Sequence, residues 1–271
     1  MIYLGVLLLL VLLFSVLNFQ LKLFVLPYKK VRILEYHSIS IDGFEDQITL
    51  PKERFIQQLE YLKVNGYTTL WFSDLDHYVS RNLRLPKKSV ILTFDDGFPD
   101  NYSEVLPLLK QYDFKAVCFM VLGRIGKNIN WPGRFVKPDT ILINKQQMFE
   151  MSTHFEFGYH TFKHDNYTNM TFEDIATDLQ LCQEVIQKEN LKIYPALAYT
   201  FGRYYRKKDD NQKQFFEILN KYKIKYALRI GNRINTFPFK SPYEIQRIDI
   251  RGNESMSVFY KKIKYGREKL F

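Results

Sequence analysis

Two adjacent carboxylates end an apolar stretch in the first half of the chain. Asp95, Asp96 and Gly97 directly follow residues 89–94, whose β-branched and apolar side chains predict a buried strand. Gly97 permits a sharp turn, so both carboxylates can reach one pocket at the carboxyl end of the strand, where α/β enzymes place their chemistry. Ionised carboxylates this close repel each other, so we expect a cation or a proton between them. The alternative is a solvated turn, since Asp and Gly are common turn residues.

Two histidines four residues apart follow a second short apolar run. His160 and His164 come after residues 156–159, in a chain that has five histidines. Neutral imidazoles suit Zn²⁺, and an oxygen ligand can complete a three-ligand site with a position open for water. A phosphoryl-transfer enzyme that uses Mg²⁺ would need the carboxylates but not the histidines, because Mg²⁺ prefers oxygen ligands. The pair therefore favours a transition-metal site.

The two motifs together resemble those of the polysaccharide deacetylases of carbohydrate esterase family 4, which share the NodB-homology domain. Residues 93–97 read TFDDG, and residues 160–164 read HTFKH. Residues 34–39 (LEYHSI) and 197–202 (LAYTFG) are similar to the branch that deacetylates poly-β-1,6-N-acetylglucosamine, a biofilm adhesin. The resemblance extends over residues 30–260 or so of the chain.

Strands alternate with helices along the chain, which predicts a barrel of parallel strands. The resemblance implies an incomplete, distorted (β/α)7 barrel of the NodB-like type, formed by one catalytic domain over residues 29–271. Short strands are expected over residues 69–72 and 194–201, and a helix with an N-terminal capping box is expected from Thr171.

The resemblance also implies the roles of the motif residues. Asp96, His160 and His164 would hold Zn²⁺ or another divalent transition metal, and Asp95 would be the general base. The domain of this branch is circularly permuted, and His37, after the first predicted strand, matches the histidine that acts as the catalytic acid.

A positive charge is expected beside the general base. Many relatives carry an arginine at the position of Ala198, which the adhesin branch lacks as well. Arg247 is the candidate to replace it, and Arg203 is its rival. A buried arginine next to a carboxylate would keep Asp95 ionised and fix its rotamer.

Further candidates lie in an irregular loop over residues 123–142 and near residue 200. Trp131 in this loop could stack on a sugar ring, or it could pack as an ordinary loop aromatic. Tyr199, or a backbone N–H near Phe201, is the candidate donor to the tetrahedral oxyanion.

The N-terminal segment predicts a membrane anchor over residues 1–28. Residues 1–21 carry no charge, and about 20 apolar residues span a bilayer as a helix. An uncleaved anchor is favoured over a signal peptide, since neither a basic start nor a clear cleavage site is present. The basic residues that follow would by the positive-inside rule place the domain in the cytoplasm. The resemblance implies the opposite, a domain outside the cell at the membrane, near the synthase that makes the polymer.

The formal net charge of +10 is spread along the chain and favours an anionic cell surface. No recognition motif or concentrated basic arm indicates nucleic-acid binding, so we expect none. Cys118 and Cys182 lie in apolar or helical stretches and are expected to be buried free thiols.

We therefore expect a metal-dependent N-deacetylase of poly-β-1,6-N-acetylglucosamine. One alternative is a deacetylase of another polymer, such as peptidoglycan or a chitin-like chain. The other is a membrane-anchored glycan-binding protein without catalysis.

Overall fold

The computed structural model describes residues 30–129, 131 and 139–268, together with Gly5, Leu7 and Phe14. The described strands are β1 (Lys30–Tyr36), β2 (Ser38–Ser40), β3 (Thr49–Pro51), β4 (Thr68–Thr69), β5 (Ser89–Asp96), β6 (Ala116–Met120), β7 (Phe155–Tyr159), β8 (Ala196–Ala198), β9 (Tyr226–Ile230), β10 (Asn235–Thr236) and β11 (Ile245–Asp249). The described α-helices are α1 (Lys52–Val64), α2 (Phe72–Ser80), α3 (Leu106–Tyr112), α4 (Lys145–Met151), α5 (Phe172–Lys188), α6 (Asp210–Lys221) and α7 (Met256–Tyr265).

The predicted membrane anchor, and the localisation that depends on it, are wrong on the present finding. Within residues 30–129, 131 and 139–268 and the three described N-terminal positions, no helix has both the length and the apolar character needed to span a bilayer. Most of residues 1–28, on which the prediction falls, lie outside the described residues. An apolar run is necessary for a spanning helix but does not specify one by itself.

Seven parallel strands form a closed barrel in the described part of the chain, in the order β1-β11-β9-β8-β7-β6-β5. The ring closes because β5 pairs with β1 from Val31↔Ser89 to Tyr36↔Phe94. We predicted an incomplete barrel, and the structure corrects this: both strands are buried apolar runs that pair along most of their length. Strand pairing within the ring is least extensive between β7 and β8, which share the single pair Tyr159↔Leu197.

Side chains alternate between the barrel interior and the surrounding helices. One buried cluster includes Ile33, Ile91, Val117 and Phe119 from alternate positions of the strands, with Phe72 of α2 packed among them. A second, larger cluster joins the outward-facing strand residues to the helices; its members include Leu34, Leu92, Cys118, Leu59, Leu109, Leu179 and Phe215. The interior cluster supports the side chains at the carboxyl ends of the strands.

Several local predictions can be compared with these elements. The capping box is confirmed, since the Asp174 N–H donates to the Thr171 hydroxyl at 3.1 Å. Cys118 and Cys182 are buried and free, as predicted. The strand predicted over 69–72 covers only Thr68–Thr69, because α2 already begins at Phe72. The strand predicted over 194–201 covers only Ala196–Ala198, because a 3₁₀ turn follows at Thr200–Gly202.

A half-buried glutamate on β7, Glu156, caps the start of α2. The Glu156 carboxylate accepts hydrogen bonds from the backbone N–H of Phe72 at 2.9 Å and of Ser73 at 3.3 Å. Its burial raises the pKa of Glu156 to about 7, despite these hydrogen bonds.

This cap predicts a pH-dependent contribution to stability. Between about pH 4.5 and 7 the folded protein holds a proton on Glu156 that the unfolded chain has released, so the free energy of unfolding falls as pH rises through this window. In Glu156→Gln the fall between pH 5 and pH 8 should be smaller by about 1–2 kcal/mol, measured by urea unfolding. The exposed Glu217→Gln is the matched control, and equal slopes in wild type and Glu156→Gln would contradict the prediction.

Candidate active site

The turn after β5 brings two neighbouring carboxylates to the same side. Residues 95 and 96 of a regular strand would point to opposite faces, but Asp96 and Gly97 both have left-handed backbone, with φ of 72° and 81°. A β-carbon at position 97 would also lie 2.7 Å from the end of the Met120 side chain, which would have to move, so the backbone and the packing both favour glycine there. The carboxylates of Asp95 and Asp96 both come to face His160, at Nε2–O distances of 4.0 and 3.4 Å.

The predicted metal ligands lie together and are buried. The Asp96 Oδ1 atom is 3.4 Å from His160 Nε2 and 3.2 Å from His164 Nε2. His160 Nδ1 lies 2.9 Å from the carbonyl oxygen of Ala198. A carbonyl only accepts, so Nδ1 carries the proton and the lone pair of Nε2 is directed at Asp96.

His164 is fixed by its backbone and by two aromatic rings. His164 and Thr161 have left-handed φ values of 69° and 62°, which are uncommon for residues other than glycine. The Trp131 ring stacks on the imidazole at 4.4 Å, with an angle of 24° between the planes. The Phe201 ring meets it edge-on at 5.0 Å. These contacts hold the His164 ring in one orientation.

The donor set fits a divalent transition metal. Its ligand atoms lie within 4.8 Å of one another, and Asp96 Oδ1 is buried with no hydrogen-bond partner among the described residues. Two imidazoles and one carboxylate are ligands that Zn²⁺ accepts. Glu35, His37 and Asp95 form a second compact group, but a guanidinium already occupies the Asp95 carboxylate, and its charge opposes a cation there.

That guanidinium belongs to Arg247 on β11, which is fully buried. Its Nη1 and Nη2 atoms donate to Asp95 Oδ1 at 2.6 Å and Oδ2 at 2.8 Å, a bidentate pair. Its Nε lies 3.1 Å from Glu35 Oε2 on β1, although neither of these two atoms has a hydrogen-bond partner within the described part of the chain. The guanidinium also stands 5.7 Å from the centre of the Phe119 ring in the barrel interior.

One positive charge shared between two buried carboxylates separates their pKa values. Burial alone would raise the pKa of Asp95, but Arg247, with His160 and His37 nearby, holds it below its ordinary value. Burial raises the pKa of Glu35 to about 7, since Arg247 offsets it only in part. Asp95 therefore stays ionised at neutral pH, as a general base requires.

His37 lies beside Asp95. Its Nε2 is 3.9 Å from Asp95 Oδ2, and the same oxygen is 4.0 Å from His160 Nε2. The side chain of His37 is 20% exposed, so an incoming substrate can contact it. The Oδ2 atom of Asp95 is thus within 4.0 Å of both a candidate metal ligand and a candidate proton donor.

The other three predicted side chains, those of Tyr199, Arg203 and Trp131, lie in three different environments. The hydroxyl of Tyr199 donates to the carbonyl oxygen of Tyr243 at 3.0 Å, so this donor is engaged away from the site. Arg203 is exposed, and Arg247 is the arginine that contacts Asp95. Trp131 packs on His164 as described above.

Sequence reasoning missed Glu35. It is 3% exposed and lies on the inner side of β1, beside Arg247. A charged residue inside the apolar run at residues 31–36 was the available signal, because a buried carboxylate requires a partner.

Comparison with known proteins places these residues in context. Residues 82–215 match a family model described as polysaccharide deacetylase. His37 and Arg247 lie outside the matched range.

The chain is 30% identical over 176 residues to Bacillus subtilis YxkH, named as a putative polysaccharide deacetylase; the match covers 65% of this chain and 58% of that protein. It is 24% identical over 204 residues to the poly-β-1,6-N-acetyl-D-glucosamine N-deacetylase of Staphylococcus aureus, covering 74% of this chain and 67% of that enzyme. Among solved structures, the Streptococcus pyogenes deacetylase PplD in complex with acetate aligns with a TM-score of 0.70 and 25% identity, over 86% of this chain and 98% of PplD.

The ligand geometry predicts one tight zinc site per chain. His164→Ala should weaken Zn²⁺ binding by at least about 10–100-fold, the loss typical when even an outer-shell partner is removed. The affinity is measured by competition with a chromogenic chelator, and the exposed His77→Ala is the control. Unchanged affinity in His164→Ala would contradict the assignment.

The shared guanidinium predicts a large stability effect at position 247. Arg247→Met leaves two buried carboxylates without a cation and should lower the free energy of unfolding at pH 7 by about 3–5 kcal/mol. The exposed Arg203→Met should change it by less than about 0.5 kcal/mol. Both values come from urea unfolding, and similar losses in the two variants would rule out the special role of Arg247.

Proposed function

We propose that this chain, which carries a polysaccharide deacetylase domain, is a metal-dependent N-deacetylase of a poly-β-1,6-N-acetylglucosamine polymer. The catalytic domain is assigned to residues 29–271. The observation that carries the proposal is the position of Asp95, whose Oδ2 atom lies within 4.0 Å of Nε2 of both His160, a member of the ligand set, and His37.

Asp95 and the groups near it divide the reaction between them. Asp96, His160 and His164 would hold a divalent metal, which would supply Lewis-acid activation of a water molecule and of an amide carbonyl. Asp95 accepts the proton of the attacking water, because Arg247 keeps its carboxylate ionised. The bidentate pair leaves Asp95 one rotamer, so the accepting oxygen does not have to be ordered during the reaction.

The leaving amine needs a proton when the carbon–nitrogen bond breaks. His37 Nε2 donates it, and the products are acetate and a free amine. Since Asp95 and His37 are separate groups 3.9 Å apart, one can remove a proton while the other delivers one. The hydroxyl of Tyr199 is engaged by Tyr243, and the N–H groups of Gly202 and Arg203 donate to the carbonyls of Tyr199 and Thr200, so the N–H of Phe201 is the proposed donor to the developing oxyanion.

The similarity to the Staphylococcus aureus enzyme supports the choice of polymer. The name of that enzyme specifies β-1,6-linked N-acetylglucosamine, and the resemblance of residues 34–39 and 197–202 to this branch is independent of the zinc ligands. A biofilm polysaccharide is accordingly the proposed substrate class.

Acetate release tests the proposal. Zinc-loaded chain is incubated with poly-β-1,6-N-acetylglucosamine, and acetate is measured for wild type, Asp95→Asn, His37→Ala, the exposed His77→Ala and a chelated sample. Wild type and His77→Ala should release acetate, and the rate should fall by about 10²–10⁴-fold in Asp95→Asn and His37→Ala. Chelation should abolish it.

The other outcomes separate the alternatives. Retention of the polymer without acetate from the zinc-loaded wild type would contradict catalysis and indicate a glycan-binding protein. Acetate from chitin or peptidoglycan fragments but not from the β-1,6 polymer would overturn the proposed substrate and keep the reaction.

A further inference from the structure

Two polar residues behind the carboxylate turn, the half-buried Asp100 and the buried Asn101, contact the segment that carries His37. Asn101 is 0% exposed, and its Nδ2 atom donates to the carbonyl oxygen of His37 at 2.9 Å. This bond crosses from the helical turn after β5 to the break between β1 and β2, over 64 positions of sequence. His37 has no regular strand bonding at this break, so its backbone needs another support.

Asp100 is hydrogen-bonded to Ser38 and Ile39, the two residues that follow His37. Its Oδ2 accepts a hydrogen bond from the Ser38 hydroxyl at 2.8 Å, and its Oδ1 accepts from the Ile39 N–H at 2.8 Å. Oδ1 also accepts from Asn101 Nδ2 at 3.1 Å, which links the two side chains. Three consecutive residues, 37–39, are therefore tied to two consecutive side chains.

The orientation of the Asn101 amide is supported from its other end. The Cys118 thiol lies 3.8 Å from Asn101 Oδ1 and can donate only a weak hydrogen bond to an acceptor. This assigns oxygen to the β6 side and nitrogen to the His37 side. Removing a carboxylate or an amide from water costs free energy unless the group is hydrogen-bonded. Asp100 and Asn101 form their hydrogen bonds with the segment that carries His37.

We propose that Asp100 and Asn101 are positioning residues for His37. They bind the backbone of the proton donor to the same turn that carries Asp95 and Asp96, so the separation of His37 Nε2 and Asp95 Oδ2 is set by two short side chains. The proposal rests on the proposed function for its consequence in catalysis, but its structural part stands on the hydrogen bonds alone.

Histidine NMR tests the structural part without any activity. The five imidazoles of the chain give separate signals, and His37→Ala identifies the signal of His37. Asn101→Ala should shift or broaden the His37 signal and leave those of His77 and His154 unchanged. Gln212→Ala is the matched control, since Gln212 is also a buried amide that donates to a backbone carbonyl, that of Tyr205 at 2.7 Å. An unmoved His37 signal in Asn101→Ala would overturn the proposal.

A double-mutant cycle tests the catalytic part. Asn101→Ala should lower kcat by about 10–100-fold with little change in KM, because misplacing a catalytic group by about 1 Å can cost 100-fold. The same substitution in the His37→Ala background should have no further effect, whereas a general structural role would lower both backgrounds equally. Additive losses would overturn the proposal.

A milder variant covers the case in which Asn101→Ala fails to fold. Ser38→Ala removes one half-buried bond to Asp100 and should produce the same pattern, a smaller fall in kcat that vanishes without His37. If wild type releases no acetate but Asn101→Ala still disturbs the His37 signal, the proposed function fails and the positioning role survives. If both variants leave the signal intact in an active enzyme, the positioning role fails alone.

Discussion

The buried guanidinium of Arg247 contacts one carboxylate on each of the two strands, β1 and β5, whose pairing closes the barrel. Arg247 lies on β11, Asp95 on β5, and Glu35 on β1, the strand that pairs with both. The closure of the ring is therefore what brings a single cation between two carboxylates. Since burial raises the pKa of both carboxyls and Arg247 opposes it most strongly at Asp95, the low pKa of Asp95 depends on a strand more than 150 positions away. Fold and reactivity are linked through this contact.

The metal site depends on backbone conformations that the chain would not adopt locally. Asp96, Thr161, His164 and Phe201 all have left-handed φ, and each such residue costs of order 1–3 kcal/mol. They cluster where the carboxyl ends of β5, β7 and β8 meet. The packed interior holds these strained turns, and both histidine Nε2 atoms are already within 3.4 Å of Asp96 Oδ1. Because the ligand side chains are already ordered, they need to rearrange less when the site binds an ion.

Much of this site follows from sequence, because carboxyl ends of parallel strands meet at one edge whatever the loops do. From that rule and the resemblance we predicted that Asp95 and His160 lie close together. The resemblance also indicated Arg247. The closure of the ring and the position of Glu35 could not be predicted from the sequence. The pairing of β1 with β5 joins residues about 60 positions apart, and such pairing leaves no local pattern. The extent of β8 was overestimated because a left-handed residue such as Phe201 is selected by packing, not by its own propensity. The apolar N-terminal run likewise indicated a spanning helix that the described residues do not contain.

The central claim is that the metal binds beside Asp95 and not on it. Diffraction at the zinc absorption edge from crystals soaked in Zn²⁺ tests this directly. The account predicts one anomalous peak at about 2.0–2.2 Å from Asp96, His160 and His164, with the two hydrogen bonds from Arg247 to Asp95 intact. A peak among Glu35, His37 and Asp95, with the guanidinium displaced, would contradict it.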